Sequence, residues 1–214
     1  MIDILLALAA LWLLCRFLTV CCRVPAALAP LAGLSLAALW LTLAGMAGLL
    51  RPGAAVLYLA CLAGGMVSLK KSRPGSGRTA LHSLITPGSM VFWALSLAFA
   101  VYFCIRQPLF ADFDEFSFWG TAAKLTCINN ALYTTGEIGW AWQATQNPGL
   151  IVLGYFFQVW GSFAPWKIFL AYDVLLFACF AAVIGGTRWK NYALAVPAAA
   201  ICWCVPWFFT TYNR

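Results

Sequence analysis

Charged residues are scarce in this chain, and their scarcity decides its class. Lys and Arg together number 13 and Asp and Glu number 6 among 214 residues, so that 9% of the chain is charged and 64% is hydrophobic. Soluble domains are about 25% charged, and a soluble protein of this length could not hide so much apolar surface. A bilayer core about 30 Å thick takes about 20 apolar residues per helix. The sequence therefore predicts an all-α, polytopic transmembrane helical bundle.

Histidine is nearly absent, and the cysteines lack the spacing of a metal site. His82 is the only histidine and lies beside a basic loop, where a solvated side chain is expected. Nine cysteines are present, but none forms a Cys-x-x-Cys motif with a second pair or a histidine nearby. All except Cys127 lie in or at the ends of apolar runs, so we interpret them as small buried hydrophobes.

The formal net charge of +7 does not indicate nucleic-acid binding, because no basic face interleaved with aromatics lies in a water-facing segment. Lys and Arg collect instead at the ends of apolar runs, where they anchor to lipid phosphates. A cleaved signal peptide is not indicated either. The first apolar segment carries Asp3 and lacks both a basic start and a small-residue cleavage site, so we interpret it as a retained membrane helix.

Seven apolar segments predict membrane helices: about 4–22, 25–50, 54–69, 88–108, 149–164, 167–186 and 192–209. The loop 70–78 carries four positive charges and no negative ones, and such loops stay in the cytoplasm. The fourth helix then runs outward. We therefore divide the chain into N-terminal membrane helices (1–108), an extracytoplasmic loop with juxtamembrane helices (109–147) and C-terminal membrane helices (148–214), which look truncated.

Acidic residues concentrate in the extracytoplasmic loop. Four of the six lie between positions 112 and 137: Asp112, Asp114, Glu115 and Glu137. The Phe and Trp residues among them suggest helices in the membrane interface, with rings in the lipid and carboxylates toward a cavity. If 114–130 forms one helix, Asp114, Phe118 and Thr121 share one side, and Lys124 lies about 80° around from Asp114.

These residue types suggest chemistry on a lipid-linked phosphate. A carboxylate at a dry membrane boundary can act as a general base or hold a divalent cation on a phosphate. Lys124 and Arg106 can hold a phosphate leaving group. A solvated loop without chemistry and a transporter gate stay open as alternatives. Asp173, the only acid well inside an apolar run, is either a proton-relay residue or a residue that is paired or lies near a helix end.

The stretch Asp114-Glu115-Phe116-Ser117-Phe118-Trp119-Gly120, with Lys124 after it and Asn147-Pro148-Gly149-Leu150 opening the next apolar segment, resembles the GT-C superfamily of integral membrane glycosyltransferases. The likeness is to bacterial multi-spanning members and covers about 110–185. It implies a polyprenyl-phosphate-linked sugar donor and transfer to an acceptor on the extracytoplasmic face of the bacterial inner membrane. Family members are usually longer, which implies that this chain is an N-terminal part.

By position, the resemblance assigns the catalytic role to Asp114, with Glu115 beside it. We predict these substrate-binding residues: Asp112, Lys124, Arg106 and Trp119. No cofactor is firmly expected, although a divalent cation fits the chemistry. The expected partners are the lipid-linked donor and membrane lipids, not nucleic acid. The alternative is a non-catalytic multi-pass protein, either a transporter part or a subunit that binds a lipid-linked substrate.

Overall fold

The computed structural model describes residues 1–71, 85–135 and 147–185, together with positions 196, 200, 203 and 204. Within these residues the chain is helical and contains no strand. The helices, numbered here in chain order, are α1 (Ile2–Cys21), α2 (Ala29–Met46), α3 (Leu50–Lys71), α4 (Pro87–Arg106), α5 (Phe113–Ser117), α6 (Trp119–Asn129), a 3₁₀ turn (Tyr133–Thr135), α7 (Pro148–Phe156) and α8 (Pro165–Ile184). The predicted all-α class is confirmed.

Five of these helices, α1, α2, α3, α4 and α8, are long and apolar enough to cross a membrane. They contain 18 to 22 residues each, which at 1.5 Å per residue gives about 27 to 33 Å and matches a bilayer core of about 30 Å. This is consistent with a multi-pass membrane protein. The seventh predicted segment, 192–209, lies outside the described residues except for four positions.

The predicted segment 149–164 does not form one long helix. Helix α7 contains nine residues, or about 13 Å, which is less than half the thickness of a bilayer core. Gln158 turns the chain back: its amide donates to the Gly154 carbonyl at 3.1 Å, and its Oε1 accepts from the Ala164 N–H at 3.0 Å. Helix α7 is buried in the bundle, where it packs against α2 and α8.

Helix α3 begins four residues earlier than predicted. Arg51-Pro52-Gly53, expected to end the second segment, lies in its first turn, where proline is tolerated because the first N–H groups have no partner within the helix. Gly48, at φ +72°, makes the turn from α2. The Trp40 indole then donates to the Gly53 carbonyl at 2.7 Å, which ties the two helices together.

The ends of the helices define two opposite faces of the bundle. At the basic face, where α1 and α3 end, Arg16 donates to Ser68 at 3.2 Å, and α3 continues to Lys70 and Lys71. The start of α4 and the end of α8 lie at the same face, because Gly88 and Gly185 both pack on Ala27. At the other, acidic face, α1 and α8 begin, α4 ends, and the loop with α5 and α6 follows. The basic loop predicted to be cytoplasmic follows directly from the end of α3 at the basic face.

Candidate functional site

The motif 114–120 lies in a short helical hairpin at the acidic face. Helix α4 ends at Gln107, which is left-handed (φ 44°) and whose N–H donates to the Phe103 carbonyl at 2.9 Å. The chain then runs through an irregular link into α5, turns at Phe118, and continues as α6. Helix α6 packs on α7 and α8, so the hairpin is fastened to the bundle.

The two adjacent acids of the motif have different environments. Glu115 is 4% exposed, and its Oε2 accepts hydrogen bonds from the backbone N–H groups of Ala111 (2.6 Å) and Asp112 (3.1 Å). This is the reverse arm of a capping box, in which a glutamate at the third helical position closes the helix start. Asp114 and Asp112 are exposed. Glu115 therefore holds the backbone that presents Asp114.

The stretch 114–130 does not form one helix, the condition under which its shared side was derived. Phe118 has φ −115° and ψ −102°, so the helix breaks there into α5 and α6. Gly120 permits the break, because a Cβ at this position would collide with the Glu115 carbonyl and lie 2.9 Å from the Phe110 ring. The common side that we derived for Asp114, Phe118 and Thr121, and the angle to Lys124, therefore do not apply.

Trp119 anchors the hairpin to α8 through an aromatic cluster. Its ring lies 5.4 Å from Phe110, 5.8 Å from Phe169 and 5.5 Å from Tyr172, measured between centroids. Aromatic pairs at such distances contribute about 0.5 to 1.5 kcal/mol each. We expected the rings of this loop to face lipid, but the rings of this cluster pack on one another. Phe113 is 74% exposed, and its contact with lipid stays a prediction.

The far end of the hairpin is joined to α7 by polar contacts. Asn130, left-handed at φ 51°, ends α6, and its Oδ1 accepts from the Tyr155 hydroxyl at 2.8 Å. Asn147 caps α7 by accepting from the Gly149 N–H at 2.9 Å, with Pro148 in the first turn. The helix start predicted from Asn-Pro-Gly is confirmed. Burial raises the pKa of the neighbouring Tyr155 hydroxyl well above its ordinary value.

The predicted cations are exposed near the hairpin. Arg106 is the last residue of α4, and Lys124 lies on α6. Across the described ranges, neither forms an ion pair with Asp112 or Asp114. The structure thus places the predicted acids and cations at the same face of the bundle, but their side chains do not form ion pairs with one another. Glu137 lies outside the described residues.

The structure adds an ion pair that sequence reasoning missed. Asp3 and Lys167 are 5% and 4% exposed, and their side chains pair across α1 and α8. Lys167 also donates to the Ser162 carbonyl at 2.6 Å, and the Met1 ammonium lies 2.9 Å from the other Asp3 oxygen. The sequence did contain a signal for this pair: one isolated acid and one isolated base, each within an apolar segment. Buried charges need partners, so two such residues are candidates for pairing.

Asp173 is half-buried in the middle of α8, away from both helix ends. It lies between Phe169 and Phe177, whose rings contact Phe103 and Phe99 of α4 at 6.4 and 5.0 Å. No hydrogen bond or ion pair joins it to another described residue. The expected position near a helix end is therefore wrong, and the proton-relay role stays a prediction.

Metal and thiol chemistry find little support in the described part of the chain. No group of three or more His, Cys, Asp or Glu side chains there could hold a metal ion. Burial raises the pKa of the Cys127 thiol to about 12, so that it is almost entirely protonated at neutral pH and is a poor nucleophile.

Comparison of the chain with protein-family models, with curated proteins and with solved structures finds no match. Function is therefore inferred from the residues and their geometry.

Proposed function

We propose that this chain is a GT-C-type glycosyltransferase, or the N-terminal part of one. It transfers a sugar from a polyprenyl-phosphate-linked donor to an acceptor on the extracytoplasmic face of a bacterial inner membrane. The observation that carries this proposal is an exposed carboxylate, Asp114, held at the acidic face of the bundle by a packed hairpin built from the residues around it.

The neighbours of Asp114 support this assignment through their contacts. Glu115 fixes the start of α5, Gly120 allows α5 and α6 to approach closely, and Trp119 clamps the hairpin to α8. A site needs its reactive group held by rigid, packed surroundings. Three residues of the motif thus have structural tasks, and Asp114 keeps an exposed charge.

Asp114 acts as the general base in the proposed reaction. Its carboxylate takes the proton of the acceptor hydroxyl as that oxygen attacks the anomeric carbon of the donor sugar. The bond from that carbon to the phosphate oxygen breaks, and the polyprenyl phosphate leaves with the bonding electrons. Lys124 and Arg106 stabilise the negative charge of this leaving group. Asp112 contacts the acceptor beside the base.

The test is sugar transfer in membranes that contain the chain, using a panel of radiolabelled polyprenyl-phosphate sugars. Asp114→Asn should lower the rate about 10² to 10⁴-fold, the usual contribution of a positioned base. Asn129→Ala, at an exposed position of α6 to which no role is assigned, is the control and should retain most of the activity. Transfer at the wild-type rate by the Asp114→Asn protein would show that Asp114 is not the base.

A chain that binds a lipid-linked substrate without turning it over is the second candidate. The exposure of both Asp112 and Asp114 is also compatible with a recognition surface. In that case wild-type protein would retain a labelled donor during purification but transfer no sugar. Asp114→Asn would then change donor retention without affecting any chemical step.

A further inference from the structure

A groove of about 470 Å³ lies between α1 and α4 at the basic face, on the opposite side of the bundle from the hairpin. Its walls include these side chains: Trp12, Arg16, Thr19, Ser89, Trp93 and Leu97. Its volume is within the range of small-molecule sites, about 300 to 1,000 Å³. Trp12 and Leu97 are 45% and 52% exposed, so the groove opens sideways, toward the surroundings of the bundle.

The lining of the groove changes from apolar to polar along its length. Helix α1 runs from Trp12 to Thr19 over about 10 Å toward the basic face. Helix α4 runs the opposite way, so that Ser89 lies near that face and Leu97 lies farther from it, toward the middle of the helix. The indoles and Leu97 therefore line the deep end, and the hydroxyls line the shallow end. Such a gradient suits a molecule with a polar head and a hydrocarbon tail.

Thr19 provides an independent sign of a ligand. Its Oγ1 is buried and has no hydrogen-bond partner among the described residues. Buried hydroxyls almost always have a partner, because leaving one unpaired loses the hydrogen bonds it makes in water. An oxygen atom of a molecule in the groove would satisfy it.

The charge at this end selects a negative head group. The Arg16 guanidinium lies in the wall, held by its bond to Ser68 and by the Trp12 ring at 5.7 Å. Arg23, Lys70 and Lys71 lie at the same face. The acids that the structure describes lie at the opposite face or within the membrane. An anion is therefore attracted to the shallow end of the groove.

We propose that this groove binds an anionic glycerophospholipid of the cytoplasmic leaflet. The phosphate lies at Arg16 and Thr19, and one acyl chain follows Trp12, Trp93 and Leu97 into the membrane. The proposal does not depend on sugar transfer at the other face, and it assigns a role to Arg16, whose charge otherwise lies inside a predicted membrane helix.

The test is native mass spectrometry of the full chain in neutral detergent, titrated with phosphatidylglycerol and with phosphatidylcholine of the same acyl chains. Wild-type protein should bind phosphatidylglycerol about tenfold more tightly. Ala94→Phe fills the groove from an exposed position in its lining and should weaken that binding at least about tenfold. Ala60→Phe, at an exposed position of α3 outside the groove, is the matched control and should bind as wild type.

A second pair of variants keeps the test valid if Ala94→Phe does not fold. Thr19→Val preserves shape and removes the hydroxyl, so it should weaken phosphatidylglycerol binding at least about tenfold, as expected for one hydrogen bond to a charged group. Thr19→Ser should retain it. Equal binding of the two lipids by wild type, or wild-type binding by both Ala94→Phe and Thr19→Val, would overturn the proposal. Displacement of phosphatidylglycerol from the groove by an equal concentration of polyprenyl phosphate would overturn the choice of occupant.

Discussion

Two acids at the same face of the bundle, Asp3 and Asp114, have opposite surroundings. Asp3 is 5% exposed and has a cationic partner on each oxygen, the Lys167 ammonium and the N-terminal ammonium. Asp114 is exposed, and no described cation pairs with it. A buried charge is stable only with partners, and the partner of Asp3 on α8 joins that helix to α1. The Asp114 region keeps a charge that a ligand can use. Substitutions at the two acids should therefore differ in their effect on the free energy of unfolding.

The largest loss is expected when the buried pair is broken. Lys167→Met leaves Asp3 buried with one partner removed, which should lower the free energy of unfolding by about 3 to 5 kcal/mol. Denaturation of the detergent-solubilised protein by added SDS measures this change. The double variant Asp3→Leu/Lys167→Met should lose less than the single one, because no uncompensated charge remains. A loss below about 1 kcal/mol in Lys167→Met would contradict a buried, partnered role.

The next largest loss is expected at the close approach of α5 and α6. Gly120→Ala places a Cβ against the Glu115 carbonyl, a backbone atom that cannot move aside cheaply, and should cost about 1 to 3 kcal/mol. It should also reduce sugar transfer by displacing α5. Lys124→Ala, at an exposed position of the same helix, is the control and should stay within about 0.5 kcal/mol of wild type. Unchanged stability in Gly120→Ala would mean that the two helices are not packed this closely.

A smaller loss is expected at the cap of α5. Glu115→Gln keeps an acceptor oxygen but removes the charge from two hydrogen bonds to backbone N–H groups, and should cost about 1 to 2 kcal/mol. Hydrogen exchange of the Ala111 and Asp112 amides should accelerate. Because the charge of Asp114 is retained, transfer should fall less than in Asp114→Asn. A greater fall in activity would instead identify Glu115 as the reactive group.

The smallest change in stability is expected at Asp114 itself. Asp114→Asn alters an exposed side chain and should shift the free energy of unfolding by less than about 0.5 kcal/mol, while transfer is lost. The same SDS denaturation measures it. A loss comparable with that of Lys167→Met would remove the contrast between the two acids and make Asp114 a structural residue.

Much of the fold could be predicted because a bilayer reduces the question to length and apolarity. The segments 4–22, 88–108 and 167–186 correspond closely to α1, α4 and α8. The prediction of one long helix over 149–164 was wrong because a short helix buried inside the bundle is as apolar as a spanning one. Its break depends on Gln158, whose amide bonds close the turn. Such a side-chain contact has no hydropathy signal.

The site was predictable in part. The Asp112-x-x-Glu115 spacing is that of a capping box, but the two adjacent acids of the motif are distinguished only by the hydrogen bonds and burial of Glu115. The break at Phe118 was not foreseeable from periodicity, because it depends on Gly120 meeting the Glu115 carbonyl in space. The catalytic and binding roles themselves stay predictions. The isolated charges of Asp3 and Lys167 suggest that each has a partner, but the sequence does not show that they pair with each other.

The Asp3–Lys167 contact also has a consequence for assembly. The two residues are 164 positions apart, and at about 5 to 20 residues per second of synthesis the lysine emerges about 10 to 30 seconds after the aspartate. During that interval α1 is already made, while its acid lacks the lysine. The charge of Asp3 can therefore gain its lysine partner only when α8 has been made, whereas the packing of α1 on α2 and α3 can form earlier.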